Sequence, residues 1–213
     1  MRISLLCSDI HHPIYPCLES WKEINCNKHD INIVQHGSQL EGGDILFLIS
    51  CSEVIDNIIR SKFAASLVIH ASDLPNGKGW SPHIWQILEG KNEITVTLLE
   101  AEDKVDSGRI WSHIKICLSG HELADEINTL LFRAEIELMD FATREFLNIK
   151  PYPQNDSGST YYRKRTPDDS RLDPNKSLAE QFNLIRVADS TRFPNFFELH
   201  GFRYELIVKK AGR

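Results

Sequence analysis

Short apolar runs alternate with amphipathic stretches through the first half of the chain, the pattern of successive β-α-β units. Residues 3–7 read as a first buried strand, 15–25 as a helix, and 31–34 and 44–49 as the next two strands. A helix over 53–62 leads into 66–69, whose unbroken apolar character suits a strand covered on both faces. After Pro75 the turn Asn76-Gly77-Lys78-Gly79 precedes a helix that starts near Ser81-Pro82, where Ser caps and Pro fits the first turn, and stops at Gly90. Strands over 93–99 and 109–118 flank a charged loop at 100–108. From 123 to 148 the residues Leu123, Ile127, Leu130, Leu131, Ala134, Leu138, Phe141 and Ala142 recur at helical spacing, one stripe for the core. A polar connecting loop over 151–169, a helix over 177–188 and a hairpin over 196–208, turning near His200-Gly201, complete the chain. The expected fold class is α/β, doubly wound and mostly parallel, with residues 1–150 as one domain and 151–213 as an extension packed on it.

Charge narrows the partners. Lys and Arg number 24 against 30 Asp and Glu, a net charge of −6, so a polyanion meets a repulsive field and nucleic acid is a poor partner. The apolar runs are too short for a bilayer, and Met1-Arg2-Ile3-Ser4 opens straight into a strand without a signal-peptide layout, so a soluble, cytoplasmic protein is expected. Five cysteines at scattered spacings fit buried thiols in a reducing compartment. The adjacent His11 and His12 diverge on an extended segment, and no metal-binding spacing follows, so no metal is expected.

The most informative stretch runs from Val68 to Ile110: VIHASDLPNGKGWSPHIWQILEGKNEITVTLLEAEDKVDSGRI. His70, Ser72-x-Leu74-Pro75, Gly79, Pro82, Trp85, Gly90, Val96-Thr97 and Asp106-Ser107-Gly108 stand in order and at spacings that closely resemble the formyl-tetrahydrofolate-dependent formyltransferases. A second, weaker similarity covers Arg163 to Ser170, Ile185-Arg186 and Phe193 to Phe197. The resemblance implies a Rossmann-like core with a small C-terminal helix and hairpin, with 10-formyltetrahydrofolate as co-substrate.

The chemistry explains the grouping. An amine must attack the formyl group in its neutral form and lose a proton as it adds, and a histidine at a strand end, oriented by a carboxylate, supplies that base. His70 with Asp106 is the candidate catalytic pair. Taken alone, a histidine after an apolar strand is more often structural, and Asp in Asp-Ser-Gly more often a turn residue; the matched spacing reverses that balance. One departure stands out: the family has Asn two residues before the histidine, where its amide polarises the formyl oxygen, and this chain has Val68.

By position in the resembling enzymes, Ser52, Val54, Glu102, Asp103 and Val105 line the folate pocket, mostly through their main chains. Ser8, His11, His12, Lys78, Gly79 and Trp80 are the candidate acceptor-binding residues, with Lys78 for a diphosphate and Trp80 for stacking. The alternative for these is surface exposure, and Arg163-Lys164-Arg165 reads equally as a solvated basic turn. The segment from His70 to Trp85 most resembles nucleotide-sugar N-formyltransferases of pseudaminic-acid-type pathways, which implies a UDP-linked amino sugar, UDP-4-amino-4,6-dideoxy-L-AltNAc, as acceptor. A formyl-tetrahydrofolate hydrolase and a non-catalytic folate or nucleotide-sugar binding protein are the competing readings. Monomer and homodimer are both compatible with the sequence, since the aromatic C-terminal hairpin can cover the sheet or form an interface.

Overall fold

The computed structural model describes residues 1–155 and 157–212. The first half contains β1 (Arg2–Leu6), α1 (Tyr15–Asn25), β2 (Asp30–Val34), β3 (Gly43–Leu48), α2 (Asn57–Arg60) and β4 (Phe63–His70). Then follow β5 (Lys78–Gly79), α3 (Pro82–Leu88), β6 (Glu93–Glu100), β7 (Ile110–Cys117) and α4 (Ala124–Glu145). The last part holds β8 (Tyr161–Tyr162), α5 (Phe182–Arg186), β9 (Asn195–Leu199) and β10 (Phe202–Leu206).

A six-stranded sheet in the order β2-β1-β3-β4-β6-β7 forms the centre. β1 to β4 pair in parallel, whereas β6 runs antiparallel to both β4 and β7, so the mostly parallel sheet has an antiparallel side. Period-two alternation divides the strand side chains between two faces. Ile3, Leu5, Ile45 and Phe47 pack with Leu18 and Trp21 of α1, Ile87 of α3 and the buried stripe of α4. Leu6, Leu46 and Leu48 face the other way, onto Val34, Phe63 and Ile59 of α2. On α4 the buried residues are Ile127, Leu131, Phe132, Ala134, Leu138, Met139 and Ala142, essentially the expected stripe.

Two expected helices are shorter than their patterns. Over 53–62 only Asn57–Arg60 is helical, because the Glu53 carboxylate turns away to accept from the Gly37 N–H (2.9 Å) and to meet His36 Nδ1 (3.0 Å). Asp56 then caps the short helix by accepting from the Ile59 N–H at 2.9 Å. Over 177–188 only Phe182–Arg186 is helical, and Ser177 closes a turn on the Glu180 carboxylate instead. The hairpin turns at His200 and Gly201, both with positive φ (53° and 80°), which matches the right-handed strand twist. Asn195 and Phe196 at the start of the hairpin are buried, while Phe202 and Tyr204 are exposed, so the hairpin is anchored at one end and its aromatics do not cover the sheet.

The segment 151–169 is more than a connecting loop. Tyr152 exchanges main-chain hydrogen bonds with Ile110, and β8 pairs in parallel with β5, setting Lys78 opposite Tyr161 and Gly79 opposite Tyr162. Trp85 Nε1 donates to the Arg163 carbonyl at 3.0 Å and the Trp85 ring stacks on Tyr162 at 6.2 Å. The C-terminal segment is thereby fixed along α3. No described helix is long and apolar enough to cross a membrane.

Candidate active site

Strand order reverses between β1 and β3, since the chain crosses from β1 to β2 on one side and from β3 to β4 on the other. In open α/β sheets the crevice beyond the carboxyl ends at such a reversal is where ligands bind. Here a cavity of about 640 Å³ opens there, bounded by the loops after β1, β3 and β6 and by the C-terminal segment.

His70 is the last residue of β4, and strand alternation puts it on the same face as Val68, both lining the cavity. The ring is nearly buried, and Nε2 lies 2.8 Å from the Gly77 carbonyl, which assigns the N–H to that nitrogen. Nδ1 faces Asp106 Oδ1 at 3.5 Å, longer than a hydrogen bond but within ion-pair reach. The turn beyond His70 is held by the Thr97 hydroxyl donating to the Ser72 carbonyl (2.7 Å) and Gln86 Nε2 donating to the Ala71 carbonyl (2.9 Å).

Asp106 has φ of 53°, a left-handed conformation that Asp tolerates better than most residues. Its Oδ2 accepts from the Gly79 N–H at 2.8 Å, which ties the loop after β6 to β5. Gln154 Nε2 donates to the Asp106 carbonyl (3.0 Å) and to the Gly108 carbonyl (2.8 Å), clamping both ends of the Asp-Ser-Gly turn. Sequence reasoning missed Gln154, and a lone Gln in a polar segment carries no signal for such a clamp.

Ser52, Val54, Glu102 and Val105 line the cavity, with Val54 and Val105 exposed apolar side chains on it. Asp103 does not line it; its carboxylate turns outward to Arg60, whose guanidinium also donates to the Ile55 carbonyl. Arg60 thus joins the two loops expected to hold folate.

Ser8, His12, Gly79 and Trp80 also face the cavity. The Ser8 hydroxyl accepts from the Ser52 N–H at 3.0 Å, so it braces the loop after β3. His12 Nε2 lies 3.2 Å from the Ser50 hydroxyl. His11 is exposed and away from the cavity, the divergence that adjacent residues impose. Lys78 also points elsewhere: it is buried in β5 and does not line the cavity. One face of Trp80 is taken by the Lys164 ammonium, 4.8 Å from the ring centroid. Lys164 and Arg165 both line the cavity; Arg163 and Lys164 are exposed, as a solvated basic turn would have them, whereas Arg165 is buried.

Three of the titratable groups lining the cavity, His12, His83 and Glu135, are strongly shifted. Desolvation, with the nearby charges of His70 and Arg165, brings His83 down to about 4, and desolvation with Arg192 brings His12 down to about 4. Burial pushes the Glu135 carboxyl up to about 8.

The raised Glu135 carboxyl fixes a pH dependence. A carboxyl raised in the folded state contributes stability fully below its ordinary value of 4.5 and loses that contribution as pH rises towards about 8. The two lowered histidines act oppositely, losing their contribution as pH falls from 6.5 towards about 4, but they are common to any Glu135 variant. Glu135→Gln is therefore expected to gain stability over the native protein progressively between pH 5 and 8 in urea unfolding, by roughly 1 kcal/mol for each pH step of one crossed in that window. A constant difference across that range would show that Glu135 titrates normally.

No protein-family model matches the chain. Solved structures do. Methionyl-tRNA formyltransferase from Clostridium thermocellum superposes with a TM-score of 0.80 at 21% identity, over 100% of this chain and 95% of that one. A 4-N formyltransferase from Francisella tularensis gives 0.78 at 16% identity, over 100% and 98% of the two chains. HypX from Aquifex aeolicus in complex with tetrahydrofolic acid gives 0.76 at 19% identity, over 95% of this chain and 36% of that one. With its mostly parallel sheet, cavity at the strand reversal and C-terminal hairpin, the chain has the formyltransferase fold.

Proposed function

We propose that the chain transfers a formyl group from 10-formyltetrahydrofolate to the amine of a nucleotide-linked amino sugar, UDP-4-amino-4,6-dideoxy-L-AltNAc being the acceptor the sequence favours. The observation that carries this reading is the His70–Asp106 pair lining the cavity at the strand reversal, a volume of the size ligand sites have. The residues present fit a folate. Leu48, Leu99, Val54 and Val105 offer apolar surface for a flat ring, and the irregular loops around Ser52 and Glu102 present main-chain groups for its amide-like edge.

When bound, the folate supplies the electrophilic formyl carbon. The chain's own residues do the rest. Gly77 fixes the Nε2–H of His70, which leaves Nδ1, on the Asp106 side, as the nitrogen that takes the amine proton. Asp106, held by Gly79 and Gln154, stabilises the resulting imidazolium.

Length does not separate this acceptor from initiator tRNA, because the Clostridium protein named for methionyl-tRNA spans almost the same chain. Charge does favour the smaller acceptor: a net −6 repels a polyanion. The test is tetrahydrofolate release with and without UDP-amino sugars, and the mass of the product. Release that needs the sugar and adds one formyl group supports the proposal. Release without any amine shows a hydrolase, and binding without release shows a non-catalytic binding protein.

Val68 leaves no amide at the position from which the resembling enzymes polarise the formyl oxygen. His83, which lines the same cavity and is close enough to feel the charge of His70, is a candidate donor that keeps an N–H while staying neutral. Val68→Asn is therefore expected to leave turnover unchanged or lower it, because Val68 packs with Leu74, Leu99 and Ile110 and an unpaired amide there costs about 1–3 kcal/mol. A hundredfold gain in turnover at constant folate affinity would show that the site lacks a donor.

A further inference from the structure

Presupposing the formyl-transfer reaction, we propose that Arg165, with Lys164, forms an anion subsite in the same cavity that takes the phosphate groups of the acceptor. Arg165 is 8% exposed and its Nε is buried without a hydrogen-bond partner. Nη2 donates to the Ser170 hydroxyl at 3.1 Å, and the guanidinium lies 5.1 Å from the Phe193 ring centroid. Among the described residues no carboxylate stands within ion-pair reach of Arg165 or Lys164. Asp169, in the same turn, is already committed: it binds both terminal nitrogens of Arg163 and accepts from the Thr166 N–H and hydroxyl.

A guanidinium removed from water with an unpartnered N–H, and with Asp169 acting on it only from beyond ion-pair reach, is costly, and an anion that enters beside it offsets that cost. The planar fork suits two oxygens of one phosphate, and the Lys164 ammonium adds a point charge from above Trp80. The remaining cavity-lining cation of the C-terminal segment, Arg192, already has Asp189 at 4.0 Å.

Two anions could come here, the phosphates of a nucleotide sugar and the glutamate carboxylates of folate. The wall around Arg165 favours the first. Phe193 lies against Arg165, the neighbouring Lys164 sits over Trp80 and His83 feels the charge of Arg165, whereas the loops suited to folate are those of Ser52 to Ile55 and Ala101 to Asp106. The segment that carries Arg165 is itself locked in place through β8 and Trp85, so the guanidinium is presented by a fixed frame.

The test uses the full chain with Arg165→Met and Arg165→Lys, in steady-state kinetics and in calorimetric titration with inorganic diphosphate. Arg165→Met is expected to raise KM for the UDP-amino sugar roughly tenfold to hundredfold, with kcat and KM for the formyl donor within about threefold of native, because hydrogen bonds to a charged group carry that much. Arg165→Lys should recover part of the loss. Inorganic diphosphate should bind the native protein, compete with the acceptor and not with folate, and bind Arg165→Met at least tenfold more weakly. A rise confined to the folate KM, or competition of diphosphate with folate alone, assigns the subsite to the glutamate tail and overturns the proposal. If Arg165→Met fails to fold, equal diphosphate affinity in native protein and Arg165→Lys, with unchanged acceptor KM, overturns it as well. Arg165-dependent diphosphate binding without any formyl transfer would sink the reaction and leave the subsite standing; transfer with an Arg165-independent KM would do the reverse.

Discussion

His70→Asn is expected to lower turnover by about two or more orders of magnitude in a protein that still folds, the usual worth of a positioned acid–base group. The shorter asparagine overlays the Nδ1 side of the ring and does not extend to the Nε2 position beside the Gly77 carbonyl, and neither of its amide atoms is basic enough to take the amine proton. Asp106→Asn should cost a similar factor for a different reason. Its carbonyl oxygen can still accept from Gly79, yet its amide would turn an N–H towards Nδ1 and remove the charge that stabilises an imidazolium. Turnover with saturating donor and acceptor, alongside a thermal melt, checks both. Near-native turnover in a well-folded His70→Asn protein would take histidine out of the reaction.

The sheet was legible because each of its six strands is an apolar or alternating run bounded by turn residues, and α4 because its stripe holds the helical period over 22 residues. What failed to show depends on partners far away in sequence. Glu53 looks like a helix residue until Gly37 and His36 claim its carboxylate. Tyr161-Tyr162 has no periodic context, and it becomes a strand only because Lys78-Gly79 lies beside it.

The same division runs through the site. His70 and Asp106 sit in a motif whose spacing is set by one strand end and one turn, so they were readable and the structure brings them together. Lys78 is read from the turn before α3, and Asp103 by its position in the resembling enzymes, mostly for its main chain. The Lys78 side chain is buried in β5 and the Asp103 carboxylate pairs with Arg60, so neither side chain lines the cavity. Gln154 and Arg165 belong to a polar segment, and only its docking on α3 and β5 brings Gln154 onto the Asp106 turn and Arg165 to the cavity.

Gly108 is where that dependence on distant main chain is sharpest. A Cβ at this position would stand 1.9 Å from the Glu100 carbonyl oxygen and 2.7 Å from its carbon, atoms of β6 that no side-chain rotation can move aside. Glu100 also donates its N–H to the Arg109 carbonyl at 2.9 Å, so strand and turn are tied on both sides of the contact. Gly108→Ala must therefore displace the turn that carries Asp106, and Gln154, which bonds the carbonyls of both Asp106 and Gly108, cannot follow both. Forced overpacking of this kind costs about 1–3 kcal/mol of stability. The loss of activity should be larger than the loss of stability suggests, because a displacement near 1 Å at a reacting group is worth about a hundredfold in rate. The expected result is a folded protein, melting several degrees lower, whose turnover has fallen by about two orders of magnitude, with folate binding reduced less because Ser52 and Val54 lie on the other loop. Native turnover in Gly108→Ala would mean that Asp106 works from a turn free to shift, and that the carboxylate's fixed place beside His70 is not needed for the reaction.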